Sequence, residues 1–323
     1  RGEQTEVTVV AVPPRTTAAV IAERLELDHA ATVTDTASIK CDVQRALRGL
    51  LRAPSADEMS RYIGGHPLAG RERGGPQHAQ ATLFAGRAWV LTPDADTTTG
   101  AVEGATWLVR ECGATPVLMS AGEHDAALAL TSHLPQLVAS ALAARLVDEP
   151  DSVLQLVGQG LRDMTRIAAA DPALWTDIAS GNAGPVAAAI EDLVTSLQRV
   201  ATALRSDGAG ADTVRELVDT GRVGHGRLPG KHGGAPRSYH IVGVLLEDRP
   251  GEMARLLADT AAAGVNVEDL RVEHSPGLPV GLIELFVGPE SSQTLRDALA
   301  RGGWRLVDDD ESSSKYPTDL PRR

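Results

Sequence analysis

The stretch "VTVVAVPP" (Val7–Pro14) decides the fold class of this chain. A continuous apolar run closed by two prolines is typical of a strand buried on both faces of a parallel sheet. The next segment, "RTTAAVIAERLEL", carries apolar residues at helical spacing, with Thr16 or Thr17 as the expected N-cap. A strand that leads directly into a helix indicates an α/β unit, so the sequence predicts a parallel α/β sheet.

The following segments repeat this alternation of strand and helix. "ATVTDTASIK" predicts a second strand, a helix follows near residues 42–51, and "RYIGGHP" and "AWVLTP" predict two further strands. In open α/β sheets, ligands bind at the carboxyl ends of the strands. We therefore expect a binding site lined by three groups of residues, namely Val12, Pro13 and Pro14, then Asp35 to Lys40, and Gly64 to Pro67.

Beyond the predicted sheet, the chain changes character twice. Residues 98–206 are predicted to be helical apart from one short strand, "ATPVLMS", and two alanine-rich helices there are apolar over much of their surface. Such helices favour an interlocked dimer, although an internal bundle is an equally simple interpretation. After a linker rich in glycine and proline with one short helix, the order strand-helix-strand-strand-helix-strand predicts a ferredoxin-like (βαββαβ) domain. The predicted domains are 1–95 (nucleotide-binding), 96–206 (all-α, helical), 207–237 (linker), 238–310 (ferredoxin-like) and 311–323 (disordered tail).

The composition excludes several classes of protein. With 31 basic and 43 acidic residues the net charge is −12, which argues against nucleic acid or an anionic membrane as the main partner. We find no apolar run that approaches the roughly 20 residues of a membrane span. Cys41 and Cys112 have no metal-type spacing, so we expect no metal site and a reduced, cytoplasmic location.

The stretch "YIGGHPLAG" contains the first candidate for chemistry, His66. Two preceding glycines without a Cβ would let a flat ligand lie against the backbone, and Pro67 fixes the chain direction. A neutral imidazole here could take a proton from a substrate hydroxyl, whereas the alternative is a turn histidine bonded to nearby backbone. Ser38, at the end of the preceding strand, is the candidate that would hold His66 in one tautomer, although such a serine is more often an N-cap.

Two helical motifs carry the other candidates. In "GQGLRDMTRIAAADPALW", Arg162, Asp163 and Arg166 share a helix face. Arg166 could bind a carboxylate with two hydrogen bonds while Asp163 restrains it, but an exposed ion pair is the commoner meaning of such a run. In "SHLPQ", His133 and Gln136 share one face of an apolar helix, which favours a polar cleft over a single satisfied core histidine.

Taken in order, these motifs resemble those of the prephenate dehydrogenase family. The resemblance runs from about Val7 to Leu204 through "VVAVPP", "TDTASIK", "GGHPLAGRERGG", "LFAGRAWVLTP", "HDAALALTSHLPQ" and "GLRDMTRIAAADPALW". The later stretch "EDRPGEMARLLADTAAAGVNVEDLRV" resembles an ACT domain, an amino-acid-sensing module appended to some members. The resemblance implies a partial Rossmann-like parallel sheet, the C-terminal part of a nucleotide-binding domain, over residues 1–95. It also implies an enzyme of tyrosine biosynthesis that converts prephenate to 4-hydroxyphenylpyruvate by oxidative decarboxylation. The hydride goes to NAD, with NADP as the alternative.

The resemblance also implies roles for particular residues. His66 would take the proton of the ring hydroxyl, Ser38 would hold His66 near the nicotinamide, and Arg166 would bind a substrate carboxylate. Five further residues would shape the substrate pocket: Asp163, Gly160, Trp175, His133 and Glu72. Gln136 stands where some members carry a histidine. The remaining implied contacts are Val12, Pro13 and Pro14 with the cofactor, and Asp248, Gly251 and Asn266 with a regulatory aromatic amino acid, tyrosine being the expected one.

Two other functions remain open from the sequence. Arogenate dehydrogenase differs only in an amino group that replaces the side-chain keto oxygen of the substrate. A catalytically silent, amino-acid-binding regulatory protein belongs to a different class. The chain lacks a Gly-x-Gly-x-x-Gly motif opening a strand-turn-helix, so we expect that motif in a segment upstream of Arg1, and weak nucleotide binding without it.

Overall fold

A computed structural model describes six ranges of this chain: 7–51, 56–69, 79–206, 210–228, 239–274 and 280–307. The chain forms two compact units, Arg1–Thr202 and Ala203–Arg323. Glu72, the two ends of the predicted linker (207–209 and 229–237) and the predicted tail lie outside the described residues.

The first unit contains a five-stranded sheet whose strands follow chain order. Strands β1, β2 and β3 are parallel, but β4 runs antiparallel to β3, and β5 is parallel to β4. The prediction that β4 continues a parallel sheet is therefore wrong. A parallel neighbour needs a crossover, usually a helix, and the described part of the β3–β4 connection contains turns and no helix. The strands are β1 (Val7–Val10), β2 (Thr32–Asp35), β3 (Tyr62–Pro67), β4 (Ala88–Thr92) and β5 (Thr115–Leu118).

Strand β1 lies at the edge of the described sheet, since it pairs with β2 alone. Val9 at its centre is 39% exposed, so the prediction of a strand buried on both faces is wrong. Pro13 is the N-cap of the next helix and Pro14 its first residue, so neither threonine is the cap. Proline suits the first helical position because the missing N–H would have no partner there. The hydroxyls of Thr16 and Thr17 instead donate to the carbonyl of Pro13.

Four helices accompany the first sheet and build its core. Ile21, Leu25 and Leu47 from these helices are fully buried with Val33 and Tyr62. The fourth helix and β5 extend the sheet well past residue 95, where we expected the first domain to end. The helices are α1 (Pro14–Leu27), α2 (Cys41–Leu50), α3 (Ala56–Ser60) and α4 (Thr99–Glu111).

A helical region completes the first unit. Within it, the helical stretch Ala121–Ala144 is long and apolar enough to cross a membrane by length and composition alone, which the sequence did not lead us to expect. One such helix is weak evidence, because core helices of soluble proteins have the same properties. The elements are α5 (Ala121–Leu128), a π-helical turn (Ala129–His133), α6 (Leu134–Ala144), α7 (Asp151–Leu154), α8 (Gln159–Thr165), a 3-10 helix (Arg166–Ala169), α9 (Pro172–Gly181) and α10 (Ala183–Leu204).

The second unit contains an antiparallel four-stranded sheet in the order β7-β8-β6-β9. Its elements alternate as β-α-β-β-α-β, the order that the sequence predicts. The helix in the predicted linker, α11, has 16 residues and is not short. The elements are α11 (Gly210–His225), β6 (His240–Glu247), α12 (Glu252–Ala262), β7 (Val267–His274), β8 (Val280–Val287), α13 (Pro289–Arg301) and β9 (Arg305–Val307).

Candidate active site

A buried ion pair lies where β2 ends. The side chains of Lys40 and Asp35 are both fully buried, with Nζ of Lys40 2.5 Å from Oδ1 of Asp35. Nζ also donates to the carbonyl oxygen of Gly65 at 2.6 Å. The other carboxylate oxygen of Asp35 accepts from the Tyr62 hydroxyl at 2.8 Å. Buried charges persist only when paired and hydrogen-bonded in this way, so the cluster fixes the ends of β2 and β3 relative to each other.

The two glycines before His66 make room for these neighbouring strands. Both are buried. A Cβ on Gly65 would overlap the carbonyl oxygen of Asp35 and lie 2.8 Å from Oγ1 of Thr34, and one on Gly64 would overlap Oγ1 of Thr92. The interpretation that the glycines let a flat ligand approach the backbone is therefore wrong, because protein atoms of β2 and β4 occupy that space.

His66, at the end of β3, begins a row of three hydrogen-bonded side chains. Its Nδ1 lies 2.8 Å from Nε2 of His124, and the two rings meet edge to face with centroids 5.1 Å apart. Nδ1 of His124 in turn lies 2.8 Å from Oδ1 of Asp125. The prediction that Ser38 orients His66 is thus wrong in this structure, since the orienting hydrogen bond is made with His124. Ser38 lies half-buried just after β2.

Asp125 ties this row to the start of α2. Its carboxylate accepts hydrogen bonds from the backbone N–H groups of Lys40 at 2.9 Å and Cys41 at 2.8 Å. Burial raises the pKa of Asp125, but the hydrogen bonds from His124 and from these two amides outweigh it, and the net pKa is lowered. Asp125 is therefore ionised near neutral pH and can only accept hydrogen bonds.

His133 and Gln136 are buried on the neighbouring helical segment. The side-chain amide of Asn182 donates to the carbonyl of Asp125 at 2.7 Å and lies 3.1 Å from Nδ1 of His133. The ring of Trp175 meets that of His133 edge to face at 6.1 Å. Gln136 contacts the Ser140 hydroxyl at 3.3 Å. His133 and Trp175 are thus connected to the His66 row through Asn182 and Asp125.

The electrostatic environment keeps the two predicted site histidines neutral. Burial lowers the pKa of His66 well below its usual value, and the positive charge of Lys40 lowers it further, with smaller contributions from His124 and His133. Burial also lowers the pKa of His133. A neutral imidazole is the form that can accept a proton, so at neutral pH His66 is ready to act as a base.

These shifts predict that the protein is less stable in acid. The usual histidine pKa of 6.5 applies to the unfolded chain, while the folded pKa values of His66 and His133 lie below it. Below about pH 6.5 the unfolded state therefore binds more protons, and the free energy of unfolding falls as the pH falls. Urea unfolding at about pH 7.5 and pH 5.5 measures the difference in the free energy of unfolding between the two pH values. The difference should shrink in His133→Gln and stay unchanged when the exposed His29 is replaced by glutamine; an unchanged difference in His133→Gln would contradict the assignment.

The predicted carboxylate-binding residues lie on a different part of the helical region. Helix α8 ends at Thr165, and Arg166 begins the 3-10 helix, so the helix face expected for Arg162, Asp163 and Arg166 is interrupted. Asp163 is exposed and accepts a hydrogen bond from Gln159 at 2.8 Å. Gly160 and Arg166 are also exposed. The 3-10 helix packs against α6, which follows His133 directly.

The ends of the parallel strands offer a surface that fits one end of a nicotinamide cofactor. Val12 after β1 is half-buried and packs against the core, and it is followed by exposed Pro13 and half-buried Pro14. Ser38 follows β2, and half-buried His66 lies at the end of β3. In α/β sheets, dinucleotides bind where parallel strands end, and these residues fit the ring that exchanges the hydride.

Sequence reasoning missed His124, Asp125 and Asn182 as members of this site. A signal for the first two was present, because a His-Asp pair opens the apolar motif "HDAALALTSHLPQ". Two ionisable residues at the start of an apolar helix are costly unless they have partners. Asn182 follows α9 as an ordinary polar C-cap, and nothing in its local sequence indicates a contact with His133.

Parallel strands that end beside a half-buried neutral histidine are features of α/β proteins that bind a nucleotide for catalysis. The family model described as "Prephenate dehydrogenase, nucleotide-binding domain" matches residues 2–118. The model described as "Prephenate dehydrogenase, dimerization domain" matches residues 120–219. The chain is 34% identical over 312 residues to the "Probable prephenate dehydrogenase NovF" of Streptomyces niveus, covering 94% of this chain and 84% of that protein. The chain therefore belongs to the prephenate dehydrogenase family.

Solved structures agree with this assignment. A prephenate dehydrogenase from A. aeolicus, in complex with hydroxyphenyl propionate and NAD+, is 28% identical with a TM-score of 0.58, covering 69% of this chain and 77% of that one. Synechocystis arogenate dehydrogenase is 25% identical with the same TM-score of 0.58, covering 69% of this chain and 79% of that one. Similar folds thus occur in dehydrogenases named for two different substrates.

Proposed function

We propose that this protein is an NAD-dependent prephenate dehydrogenase that converts prephenate to 4-hydroxyphenylpyruvate by oxidative decarboxylation. The observation that carries the proposal is the neutral, half-buried His66, which stands at the end of β3 and is hydrogen-bonded through His124 to Asp125. Membership of the family supports the reaction. The NAD+ bound in the A. aeolicus relative supports the choice of cofactor.

In this proposal His66 is the general base. The substrate hydroxyl loses its proton to His66 as the ring C–O bond becomes a carbonyl, and the ring carboxylate leaves as CO2. When bound, NAD supplies the acceptor for the hydride that leaves the same ring carbon. Ser38 and the strand end Val12–Pro14 lie where they can orient the nicotinamide ring, at the carboxyl ends of β1 and β2.

The substrate carboxylates need cationic or hydrogen-bonding partners, and Arg166 is our candidate. The 3-10 helix that begins with Arg166 packs against α6, the helix that carries the buried Gln136. A guanidinium can hold a carboxylate with two parallel hydrogen bonds. Trp175, His133 and Gln136 would line the same pocket; Gly160, Asp163 and Glu72 keep the supporting roles that the family resemblance implies.

Replacing Arg166 by glutamine should mainly raise KM for prephenate, by about tenfold, while kcat changes little. The reason is that a carboxylate remote from the reacting carbon is bound equally in the ground state and the transition state. Steady-state kinetics measures both constants. Arg162→Gln, one turn earlier on α8, is the matched control and should leave KM near its original value. An unchanged KM in Arg166→Gln would remove Arg166 from the substrate site.

The proposed function is tested by assaying the purified protein with each substrate and each cofactor. Appearance of reduced nicotinamide with prephenate and NAD supports the proposal. Faster turnover of arogenate would support the alternative dehydrogenase, which the similarity to the Synechocystis enzyme keeps open. Lack of turnover with both substrates and both cofactors would favour the catalytically silent, amino-acid-binding protein.

We also propose that the protein is a homodimer held by its helical region. The helical region exposes large apolar side chains that one chain leaves uncovered, among them Leu130 at 63%, Leu156 at 83% and Val194 at 55%. The family model that matches this part of the chain is named for dimerisation. Light scattering at micromolar concentration should give twice the chain mass, and a monomer would contradict the proposal. A cytoplasmic location stays a prediction.

We further propose that the second unit is a ferredoxin-like ACT domain that binds an aromatic amino acid. Asp248 and Gly251 line a cavity of about 380 Å³ bordered by β6, α12, β7 and β8, whose walls also include Met253, Val272 and Ile283. Gly251 has φ +93°, which favours glycine, and it precedes α12, whose free N–H groups can bind a carboxylate. Asn266 does not line this cavity and instead donates to Glu268 at 2.7 Å, so its predicted role as a ligand contact is not supported.

Calorimetry of the full chain should detect tyrosine binding, and phenylalanine serves as the comparison ligand. Asp248→Asn should weaken the binding by about tenfold, because it removes the negative charge opposite the amino group of the ligand. The matched control is Asp297→Asn, an exposed residue of α13 outside the cavity. Absence of heat with either amino acid would indicate a purely structural domain.

A further inference from the structure

We propose that His124 and Asp125 form a proton relay behind His66, so that the substrate proton taken up by His66 is matched by a proton passed to His124. This proposal rests on the proposed function. It assigns roles to two residues that touch neither the substrate nor the cofactor. It also requires that the ring protons of His66 and His124 lie on defined nitrogen atoms and that Asp125 carries none.

The positions of the protons on the two histidines follow from the charge of Asp125. As a carboxylate that already accepts two backbone hydrogen bonds, Asp125 can only accept from His124, so Nδ1 of His124 is the donor. When that is the single ring proton of His124, its lone pair is on Nε2, which accepts the hydrogen of Nδ1 of His66. His66 is left with its lone pair on Nε2, and within the described residues no hydrogen bond occupies that atom. Nε2 is therefore the basic atom that faces the substrate hydroxyl.

The proposed step balances as follows. The O–H bond of the substrate breaks and an Nε2–H bond forms on His66. At the same time the Nδ1–H bond of His66 breaks, and that proton forms an Nε2–H bond on His124. His66 ends neutral as the other tautomer, and His124 ends as an imidazolium beside the carboxylate of Asp125. The electron pair of the broken O–H bond forms the ring carbonyl as the hydride leaves.

The charges around the site explain why the proton should move on from His66. An imidazolium on the half-buried His66 would face the positive charge of Lys40, the residue that precedes α2, with His133 as a further neighbour. Among the described residues, Asp125 is the carboxylate that raises the pKa of His66, and His124 is hydrogen-bonded to both of them. Transfer to His124 puts the positive charge 2.8 Å from that carboxylate. A buried ion pair in contact is far less costly than a buried charge without a partner.

A pair of substitutions separates a relay from simple positioning. In His124→Gln, the side-chain carbonyl lies near the place of Nε2 and can accept from His66, but it cannot take a proton. We expect kcat for prephenate to fall by about a hundredfold with KM nearly unchanged. In His124→Asn, the amide keeps the contact with Asp125 and loses His66, and the loss should be at least as large. Replacement of the exposed His29 by glutamine is the matched control and should leave kcat unchanged.

The positions of the protons on His66 and His124 can be measured without substrate. Nitrogen NMR of the histidine side chains in the free wild-type protein should show His66 protonated on Nδ1 and His124 protonated on Nδ1 at neutral pH. A proton on Nε2 of His66 would overturn the proposal. So would wild-type kcat in a folded His124→Gln protein, because positioning alone would then suffice. If the wild-type protein turns over neither prephenate nor arogenate, the proposed function fails, and the NMR result still decides the direction of the hydrogen bonds.

Discussion

Replacing His66 by asparagine should lower kcat by about a hundredfold or more, the usual effect of losing a general base. The asparagine amide can keep the hydrogen bond that Nδ1 makes with His124, so the neighbouring side chains keep their places. It lacks a basic nitrogen at the position of Nε2, and water or no group at all must then accept the substrate proton. KM should change little, because the base acts mainly in the transition state.

Steady-state kinetics with prephenate and NAD measures this effect. The pH profile adds a second check, since the pKa of His66 lies well below its usual value and the wild-type rate should fall only in acid. His29→Asn is the matched control, because His29 is an exposed histidine. A kcat within about twofold of wild type in His66→Asn would exclude His66 as the base.

Replacing Lys40 by methionine should lower the free energy of unfolding by roughly 3–5 kcal/mol, the usual cost of breaking a buried ion pair on one side. Methionine has a similar unbranched shape and fills the space. The change removes the ammonium that contacts Asp35 and Gly65, and leaves a buried carboxylate that retains the Tyr62 hydroxyl and the amide of Ala37 at 2.8 Å. Hydrogen bonds alone do not compensate a charge that has no access to water.

Urea unfolding followed by tryptophan fluorescence measures the loss, because Trp89, Trp107 and Trp175 all belong to the first unit. Arg45→Met is the matched control, since its ion pair with Asp42 is exposed and should contribute less than about 1 kcal/mol. The double variant with Asp35→Asn should recover part of the loss, because it removes the unpaired charge as well. Equal free energies of unfolding for Lys40→Met and Arg45→Met would show that the buried ion pair contributes no more to stability than the exposed one.

Much of the fold could be predicted because its signals are local. The apolar run before Pro13, the helical spacing after it and the β-α-β-β-α-β order near the end each depend on residues close together in the chain. The spacing of apolar residues along a short segment indicates directly whether that segment forms a helix or a strand. His66 was predicted as a candidate for the same reason, since its surroundings in "YIGGHPLAG" are unusual in themselves.

The errors concern contacts between residues that are far apart in the chain. Strand β4 was placed parallel because the alternation of elements carries no direction, whereas the connection to β3 is a turn without a crossover helix in its described part. The glycines were assigned to a ligand, but their space is filled by Asp35 and Thr92 from other strands. Ser38 was chosen as the partner of His66 because it was the nearest suitable residue at a strand end.

The sequence by itself determined which elements form, the family of the chain and the identity of its candidate base, because propensity, spacing and ordered motifs are properties of short segments. Only the tertiary structure decided what that base touches. His66 and His124 are separated by 58 positions in the chain. The backbone N–H of Lys40 donates to Asp125, which is 85 positions away. Hydrogen bonds over such separations exist only when the sheet and the helical region pack together, since desolvation then makes each buried polar group depend on a specific partner.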